Sequence, residues 1–316
     1  MSVKCAFLFA GQGSQSIGMG KDFFENSEVA KAIIADATAR TGIDFEKLLF
    51  EENNDLGQTE FTQPAILLVA MIAHRLFTDA IDIKPTLTMG HSLGEFSALV
   101  ASGALDAIDA VELVNLRGKL MAEACAKQEV GMMVSLGLKD EVVEQICQEQ
   151  RDEGLQVWAV NYNAEGQIVI AGVKKDLEIL APILKEAKAK RAILLDMSVA
   201  SHCPLLQSAV APLSEKLNEM IKDEFIAPVI SNVTAKPYST KEEALELLAK
   251  QLVEPVKYKQ SMANIDDEVD CYIEFGNGAV LKGLNRKATK KPHFNIKDMD
   301  SLEATIKEIK ALSEKK

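Results

Sequence analysis

The chain has 316 residues, enough for one large domain or for a large domain that carries an insert. With 47% hydrophobic and 26% charged residues, its composition excludes disordered and fibrous proteins, and its net charge of −12 argues against general binding to nucleic acids or anionic membranes. The longest apolar run, residues 65–73, is shorter than the roughly 18 residues that cross a bilayer and predicts a buried helix.

The five cysteines are scattered and odd in number, and no two of them form a C-x-x-C pair. This pattern predicts neither a disulfide framework nor a zinc site, and it indicates a reducing, cytoplasmic location. The N-terminal sequence MSVKCAFLFAGQG passes from a short apolar run directly into a glycine turn. We therefore interpret it as the first core strand and not as a signal peptide.

That first strand, residues 4–10, ends at the glycine turn GQGSQ. A dinucleotide fingerprint would need a glycine where Ser16 stands, and a P-loop would need Gly-Lys followed by Ser or Thr, which is missing. Two interpretations remain: a purely structural turn, or a turn that offers the backbone N–H of Gln12 to an oxyanion.

Residues 22–77 have a helical pattern, interrupted at residues 53–57. A long apolar helix is predicted to begin near Pro64, because proline suits the first turn of a helix. His74 lies in this helix and is predicted to be a packing or surface residue. A short β run at residues 86–89 follows.

The sequence GHSLG, residues 90–94, lies between that β run and a helix of small residues beginning near Glu95. In such a nucleophile elbow the serine is on a sharp strand-to-helix turn, and the flanking glycines leave room for the tight backbone. Ser92 is therefore predicted to be an exposed nucleophile, beside backbone N–H groups that can bind an oxyanion.

The next helix is predicted to have its cap at Asp106 or Asp109 and to run to about Lys127. Its apolar residues fall on one stripe at 3.6 residues per turn, and Arg117 lies in the middle of that stripe. A buried guanidinium is costly unless paired, and it cannot lose its charge. Arg117 is therefore either part of a structural salt bridge or a permanent cation for a substrate carboxylate.

Residues 128–197 follow the order β-α-β-β-α-β, which is typical of a ferredoxin-like unit. They are predicted to form a small domain inserted into an α/β main domain made of residues 1–127 and 198–316. Asn161 and Asn163 lie in a hairpin of the insert, where asparagine is also a natural turn residue.

His202 lies in the loop SVASHCP, before a helix whose first turn holds a proline. The positive end of that helix disfavours a protonated ring, as a general base near neutral pH requires. Two other histidines compete for this role: His293, near the C-terminus, and His91, whose side chain is expected to point away from the nucleophile. Further along, the pattern predicts β runs at residues 229–233 and 271–275.

Several longer stretches match one family in the same order, namely FLFAGQGSQSIGMG, TQPAI, GHSLGEFSALVASGAL, RGKLM, NYNAEGQIVIAG, SHC, PVISNVTA, QLVEPVKY and EFGNGAVLKGL. Over nearly its whole length the chain resembles the stand-alone bacterial malonyl-CoA:acyl carrier protein transacylases of type II fatty acid synthesis. The resemblance implies an α/β-hydrolase-like main domain, a ferredoxin-like insert, and an acyl-binding cleft between them.

The resemblance also implies roles for five residues: nucleophile Ser92, base His202, carboxylate-binding Arg117, and backbone oxyanion donors Gln12 and Leu93. A family glutamine corresponds to Gln251, whose neighbourhood supplies a backbone carbonyl that orients the histidine. A family asparagine near the cleft corresponds to Asn163, although Ala164-Glu165 replaces the common Ser-Pro there. Asn277 likewise stands where the family often has proline.

The activity implied is a ping-pong transfer of malonyl from CoA to the pantetheine thiol of holo-acyl carrier protein, through a malonyl-serine, with no metal or cofactor. No carboxylate partner for the histidine is evident, so a Ser/His dyad is predicted. Such carriers are expected to be acidic, and the densest basic stretch of this acidic chain is KGLNRKATKK, residues 282–291. Candidate docking residues are Lys282, Arg286, Lys287 and Lys290, and we expect a monomer with no nucleic-acid or membrane partner.

Two other functions remain open from the sequence. A serine hydrolase or thioesterase on a related fold would release the acyl group to water. A non-catalytic carrier-binding module would be expected to lack Ser92 or His202, yet both are present. The pair Ala200-Ser201 does not separate malonyl from methylmalonyl as the substrate group.

Overall fold

The computed structural model describes residues 3–314, so the two terminal residues at each end of the predicted main domain lie outside the described range. The strands in chain order are β1 (Cys5–Phe9), β2 (Leu87–Gly90), β3 (Val130–Leu136), β4 (Val157–Ala164), β5 (Gln167–Val173), β6 (Arg191–Leu194), β7 (Val229–Ile230), β8 (Pro237–Tyr238), β9 (Cys271–Phe275) and β10 (His293–Ile296). The helices are α1 (Lys21–Asn26), α2 (Glu28–Thr41), α3 (Phe45–Phe50), α4 (Thr59–Ala80), α5 (Gly94–Ala101), α6 (Ala107–Cys125), α7 (Asp140–Asp152), α8 (Lys174–Glu186), α9 (Gln207–Met220), α10 (Lys241–Gln251), α11 (Tyr258–Ile265), α12 (Val280–Asn285) and α13 (Met299–Glu314).

Six strands form a mixed sheet in the order β10-β9-β1-β2-β7-β8. Neighbouring strands run parallel except β7 and β8, which are antiparallel. Every residue of β1 is buried, because both faces of this parallel region are covered. The register pairs Phe9 with Gly90, so the glycine turn after β1 and the GHSLG turn after β2 lie side by side.

Four strands form a second, antiparallel sheet in the order β4-β5-β3-β6. Its elements follow the β-α-β-β-α-β order predicted from the sequence. One face packs against α7 and α8 through residues such as Met133 and Ile170. The other face contributes Met132 and Val169 to the core of the main sheet. The second sheet therefore covers the edge of the main sheet at which the two turns lie.

Helix α4 begins at Thr59, five residues before the predicted start at Pro64. A proline inside a helix leaves the carbonyl four residues earlier without an N–H donor. Here that carbonyl belongs to Glu60, and the side-chain amide of Asn115 on α6 donates to it at 2.8 Å. The neighbouring helix thus supplies the missing hydrogen bond, and α4 continues through the proline.

Helix α4 is the one helix within residues 3–314 that is long and apolar enough, by composition, to cross a membrane. The mean hydropathy of its most apolar 18-residue stretch is 1.3, and 72% of that stretch is buried inside the protein. The core helix of a globular protein has the same composition, and α4 packs in this way against α6 and the main sheet.

The β run predicted at residues 229–233 is shorter than expected, because β7 ends at Ile230. The chain turns at this point: Ala235 has a φ of 57°, and the N–H of Ser231 donates to the carbonyl of Lys236 across the turn. Asn232 is consequently directed toward the end of β2 instead of continuing the strand.

Candidate active site

The turn after β2 has the strained backbone that the GHSLG sequence predicts. Ser92 has a φ of 53°, in the left-handed region that side-chain-bearing residues rarely adopt. A Cβ atom at Gly90 would lie 1.9 Å from the backbone of Gly94, and one at Gly94 would lie 2.0 Å from the carbonyl oxygen of Phe9. Neither glycine can therefore be replaced without moving the backbone of the turn.

The Ser92 hydroxyl contacts an imidazole that comes from a distant loop. Ser92 Oγ lies 2.7 Å from Nε2 of His202, and Nδ1 of the same ring lies 2.6 Å from the backbone carbonyl oxygen of Gln251. Because a carbonyl oxygen only accepts hydrogen bonds, the ring proton belongs on Nδ1 and leaves Nε2 to accept from the serine. The backbone carbonyl expected near Gln251 is that of Gln251 itself.

The His202 ring is suited to remain neutral. It is almost completely buried, and burial, followed by the nearby positive charge of Arg117, lowers the pKa of His202 from 6.5 to about 3. An imidazole with this pKa carries no proton on Nε2 at physiological pH. It is therefore ready to take one from Ser92.

Arg117 is buried at the bottom of the site, with 1% of its surface exposed. Its guanidinium donates to Oε1 of Gln63 at 2.8 Å and to Oε1 of Gln251 at 3.0 Å, and its Nη2 lies 3.4 Å from Ser92 Oγ. These acceptors are all neutral, and within residues 3–314 the guanidinium forms no ion pair with a carboxylate. The salt-bridge alternative is therefore not what the structure contains.

Burial lowers the pKa of Arg117 to about 10, and the negative charge of Glu95 partly opposes this change. The guanidinium consequently keeps its charge at neutral pH. It also stacks over Phe96 of α5, with 5.3 Å between the guanidinium carbon and the ring centroid. A cation held by neutral groups retains its capacity to bind an anion that enters the site.

Gln12 and Leu93 line the cavity in front of Ser92. Among the described residues, neither backbone N–H has a hydrogen-bond acceptor. The side chain of Gln12 is turned away and donates to Thr59 at 3.2 Å. Two unpaired N–H groups beside a serine hydroxyl are what an oxyanion site requires.

The cavity itself lies between the two sheets and has a volume of about 280 Å³. The main sheet contributes the turns after β1 and β2, and the second sheet contributes Met132, Val134, Asn161 and Val169. Apolar side chains around a serine hydroxyl and an imidazole, with a cation 3.4 Å behind the hydroxyl, are typical of an acyl-binding site.

His91 was expected to point away from the nucleophile, and that prediction is wrong. His91 lines the same cavity as Ser92, and its Nε2 lies 2.7 Å from Oδ1 of Asn163 on β4. The tight turn brings both consecutive side chains to the cavity. Asn163 therefore links the second sheet to the elbow, across the cavity.

The other two histidines lie elsewhere. His74 packs edge-on against Phe7 and Phe275 in the core, as a packing residue would. His293 lies 3.7 Å from Glu274 and does not line the cavity. Of the three candidates for the base, His202 alone contacts the serine hydroxyl.

Helix α12 connects the cavity to the basic stretch. Leu281 and Leu284 of this helix line the cavity, whereas Lys282 on its other side is exposed. Arg286, Lys287 and Lys290 follow the helix and are also exposed. The four candidate docking residues therefore lie on the surface beside the cavity.

The acyl transferase domain family matches residues 6–315 of the chain. The chain belongs to this acyltransferase family. The acyltransferase is 39% identical to the malonyl CoA-acyl carrier protein transacylase of Bacillus subtilis over 311 residues, which cover 97% of this chain and 98% of the relative. The resemblance seen in the sequence motifs is thereby confirmed.

Solved structures lead to the same family. The acyltransferase superposes on the malonyl-CoA:acyl carrier protein transacylase of Helicobacter pylori with a TM-score of 0.95 and 44% identity, covering 98% of this chain and 99% of the other. A malonyl-transacylase solved in complex with a type II PKS acyl-carrier protein gives a TM-score of 0.91 at 36% identity, covering 96% and 99% of the two chains. The α/β fold with its mixed sheet is thus the fold of these transacylases.

Besides Gln63, which accepts a hydrogen bond from Arg117, two residues that contact the groups of the acyltransferase site were not predicted. Glu95 on α5 is completely buried and accepts a hydrogen bond from the side chain of Gln251 at 2.8 Å. Asn232, after β7, accepts a hydrogen bond from the N–H of Ser92 at 2.7 Å. Each had a weak signal in the sequence: a carboxylate in an apolar helix of small residues, and an amide in an apolar β run.

Within residues 3–314 of the acyltransferase, no three His, Cys, Asp or Glu side chains are placed to hold a metal ion together.

Proposed function

We propose that this acyltransferase moves a malonyl group from coenzyme A to the pantetheine thiol of acyl carrier protein, in fatty acid biosynthesis, through a malonyl ester on Ser92. The observation that carries the proposal is the position of one oxygen. Ser92 Oγ lies 2.7 Å from the unprotonated nitrogen of His202 and 3.4 Å from Nη2 of Arg117. A base and a fixed cation at one nucleophile suit an acyl group that carries a free, charged carboxylate in addition to its thioester carbonyl.

In the first half-reaction, His202 Nε2 removes the Ser92 proton while Oγ forms a bond to the thioester carbonyl carbon. The tetrahedral intermediate then loses the CoA thiolate, and His202 returns the proton to that sulfur. In the second half-reaction the carrier thiol gives its proton to His202 and attacks the serine ester, and Ser92 regains the proton as it leaves. The exchange is therefore ping-pong, and the ring ends neutral.

The ring is oriented by a backbone carbonyl in place of a carboxylate. The hydrogen bond from Nδ1 to the carbonyl of Gln251 keeps the proton on the nitrogen that faces away from the serine. Ser92 and His202 thus act as a dyad, with Gln251 as their support. The N–H groups of Gln12 and Leu93 bind the negative oxygen of each tetrahedral intermediate.

Arg117 binds the free carboxylate of the malonyl group. A guanidinium binds a carboxylate through two parallel hydrogen bonds, and the short distance from Nη2 to Ser92 Oγ places that carboxylate close to the attacked carbonyl. An acyl group without a carboxylate leaves the buried cation unpaired, at a cost of roughly 2 to 5 kcal/mol. Selectivity for malonyl over acetyl therefore depends on this residue.

We assign the architecture accordingly. Residues 1–127 and 198–316 form an α/β-hydrolase-like catalytic domain, and residues 128–197 form a ferredoxin-like insert. Support for the first comes from the strand-elbow-helix unit at Ser92, and support for the second comes from the antiparallel order β4-β5-β3-β6 with two helices on one face. Asn163 supports the site from the insert.

Holo-acyl carrier protein binds at the exposed residues Lys282, Arg286, Lys287 and Lys290. Their position beside the cavity, at the end of α12, would bring the pantetheine arm of an acidic carrier to the opening. We further propose that the enzyme works as a cytoplasmic monomer, without a metal or cofactor and without nucleic-acid or membrane partners. Malonyl-CoA is a substrate only.

Intact-protein mass spectrometry after mixing with malonyl-CoA tests the function. The expected result is a malonyl adduct on Ser92 that persists in buffer and is discharged by holo-acyl carrier protein. Rapid discharge to water would instead indicate a hydrolase. The absence of any adduct would contradict the transferase and favour a carrier-binding module.

A further inference from the structure

Both backbone polar groups of Ser92 are held by side-chain amides. The N–H of Ser92 donates to Oδ1 of Asn232 at 2.7 Å, and its carbonyl oxygen accepts from Nε2 of Gln251 at 3.0 Å. Asn232 also donates to the carbonyl of Gly90 at 2.7 Å. A non-glycine residue stays in a left-handed conformation only where its surroundings hold it. These two amides form a clamp on the nucleophile, which we call the Ser92 clamp.

A single carboxylate oxygen joins the two halves of the Ser92 clamp. Oε2 of Glu95 accepts from Nε2 of Gln251 at 2.8 Å and from the backbone N–H of Asn232 at 3.2 Å. The other oxygen, Oε1, accepts from the hydroxyl of Tyr238 at 3.1 Å. Glu95 has no exposed surface and does not line the cavity. It therefore acts on the site only through its neighbours.

Glu95 also determines which way the amide of Gln251 points. The amide lies between Glu95, whose Oε2 accepts, and Arg117, which only donates. Reversing the amide would set two donors against each other at Arg117 and two acceptors against each other at Glu95. The observed orientation places Oε1 on Arg117 and Nε2 on Ser92 and Glu95.

We propose that Glu95 is a positioning residue of the acyl-transfer reaction: its Oε2 fixes Asn232 and Gln251 together, and so holds Ser92 in its reactive geometry and Arg117 toward the acyl carboxylate. This role concerns the acylation of Ser92, so it rests on the function proposed above.

The position of the acceptor, more than its charge, is the property required. Burial raises the pKa of Glu95 to about 7, although hydrogen bonds from Gln251, Asn232 and Tyr238 oppose this change. At neutral pH the carboxyl is therefore protonated in part of the molecules. A proton on Oε1 can be donated to the Tyr238 oxygen, which leaves Oε2 as an acceptor for the clamp.

Two substitutions separate position from charge. Glu95→Gln keeps a carbonyl oxygen at the position of Oε2 and loses the charge. Glu95→Asp keeps the charge, but its side chain is shorter by one methylene, so its oxygens no longer reach the clamp. The rate constant of Ser92 malonylation would be measured by rapid quench and mass spectrometry. The final amount of adduct would give the fraction of enzyme molecules that are active. We expect Glu95→Asp to lower the rate constant at least tenfold and to reduce the preference for malonyl-CoA over acetyl-CoA, with Glu95→Gln within about threefold of the unaltered enzyme.

Tyr238→Phe is the matched control, because it removes a hydrogen bond from the same carboxylate at the oxygen that does not reach the clamp. Its rate constant should stay near that of the unaltered enzyme even if its melting temperature falls. A Glu95→Asp enzyme with lower adduct amplitude but an unchanged rate constant would overturn the proposal, as would equal losses in Glu95→Asp and Glu95→Gln. If the unaltered enzyme forms no adduct, the proposed function itself fails.

Discussion

Two positively charged regions of this protein differ in almost every physical property. Arg117 is a single cation with 1% exposure, held by neutral acceptors at 2.8 and 3.0 Å. The basic stretch at residues 282–291 has several exposed cations beside the cavity. Water and salt screen the exposed charges, whereas the buried charge is scarcely screened. We therefore expect Arg117 to decide which acyl group reacts, and the basic stretch to decide how fast the carrier arrives.

The buried cation needs hydrogen-bond partners within the protein, whereas the exposed cations do not. A guanidinium removed from water needs acceptors for its donors, and here two glutamine oxygens accept from Nη1 and Nη2 without neutralising the charge, while Nε has no partner among the described residues. The exposed lysines need no such arrangement, because water solvates them. Specificity for the acyl group thus depends on a few contacts to a desolvated charge. Electrostatic steering of the carrier protein depends on several solvated charges.

The largest expected effect comes from removing the buried cation. Arg117→Met has similar length and no charge, and we expect malonylation of Ser92 to fall at least 100-fold, since the acyl carboxylate would enter an apolar site unpaired. Acylation by acetyl-CoA should change much less, and the ratio of the two rates should not depend on salt. Equal losses with both substrates would show that Arg117 acts on the nucleophile and not on the carboxylate.

The next effect concerns the exposed cations. Reversing Arg286 and Lys287 to glutamate should raise the KM for acyl carrier protein about tenfold at low ionic strength, because an acidic partner is repelled, and the effect should shrink at 0.5 M salt, where the screening length is only a few ångströms. Hydrolysis of malonyl-CoA should be unchanged. The double reversal of Lys307 and Lys310, exposed on α13, makes the same charge change elsewhere and should leave the KM unaltered.

A smaller effect is expected from the contact between the two sheets. Asn163→Ala removes the 2.7 Å hydrogen bond to His91, and a single neutral hydrogen bond accounts for a loss of about threefold in the malonylation rate constant. The measurement is the same rapid-quench assay, with adduct amplitude as the check on folding. A loss above thirtyfold would mean that Asn163 contacts the reacting groups directly.

The smallest expected change is in the pH dependence of the malonylation rate constant, which should be nearly flat. The lowered pKa of His202, about 3, means that the base is lost only as the pH falls toward that value. Between pH 7.5 and 5.5 the malonylation rate constant should change less than twofold on account of His202, whereas an imidazole of pKa 6.5 would lose about tenfold. The raised pKa of Glu95, about 7, means that this carboxyl also titrates in this range, and the resulting change in rate constant should stay within about threefold, because Oε2 remains an acceptor when Oε1 is protonated. That change should disappear in Glu95→Gln, and a tenfold fall that persists in this variant would contradict the assignment of His202 as the base.

Much of the fold follows from local pattern. The strand of residues 271–275 and the β-α-β-β-α-β succession occur where the periodicity predicts them. Helix α4 begins earlier than its local pattern predicts, because Asn115 on another helix supplies the hydrogen bond that Pro64 cannot donate. The short β7 differs for a similar reason, since Asn232 bonds to Gly90 and Glu95 in place of continuing the strand.

The sequence by itself determined the elbow at Ser92 and the burial of Arg117, because a glycine pattern and a helical stripe are properties of neighbouring residues. Only the tertiary structure decided that His202 reaches Ser92, that His91 faces the cavity, and that Glu95 joins Asn232 to Gln251. These contacts join residues up to 156 positions apart. Hydrogen bonds of this kind depend on ångström-scale placement of separate elements, which no periodicity along the chain encodes.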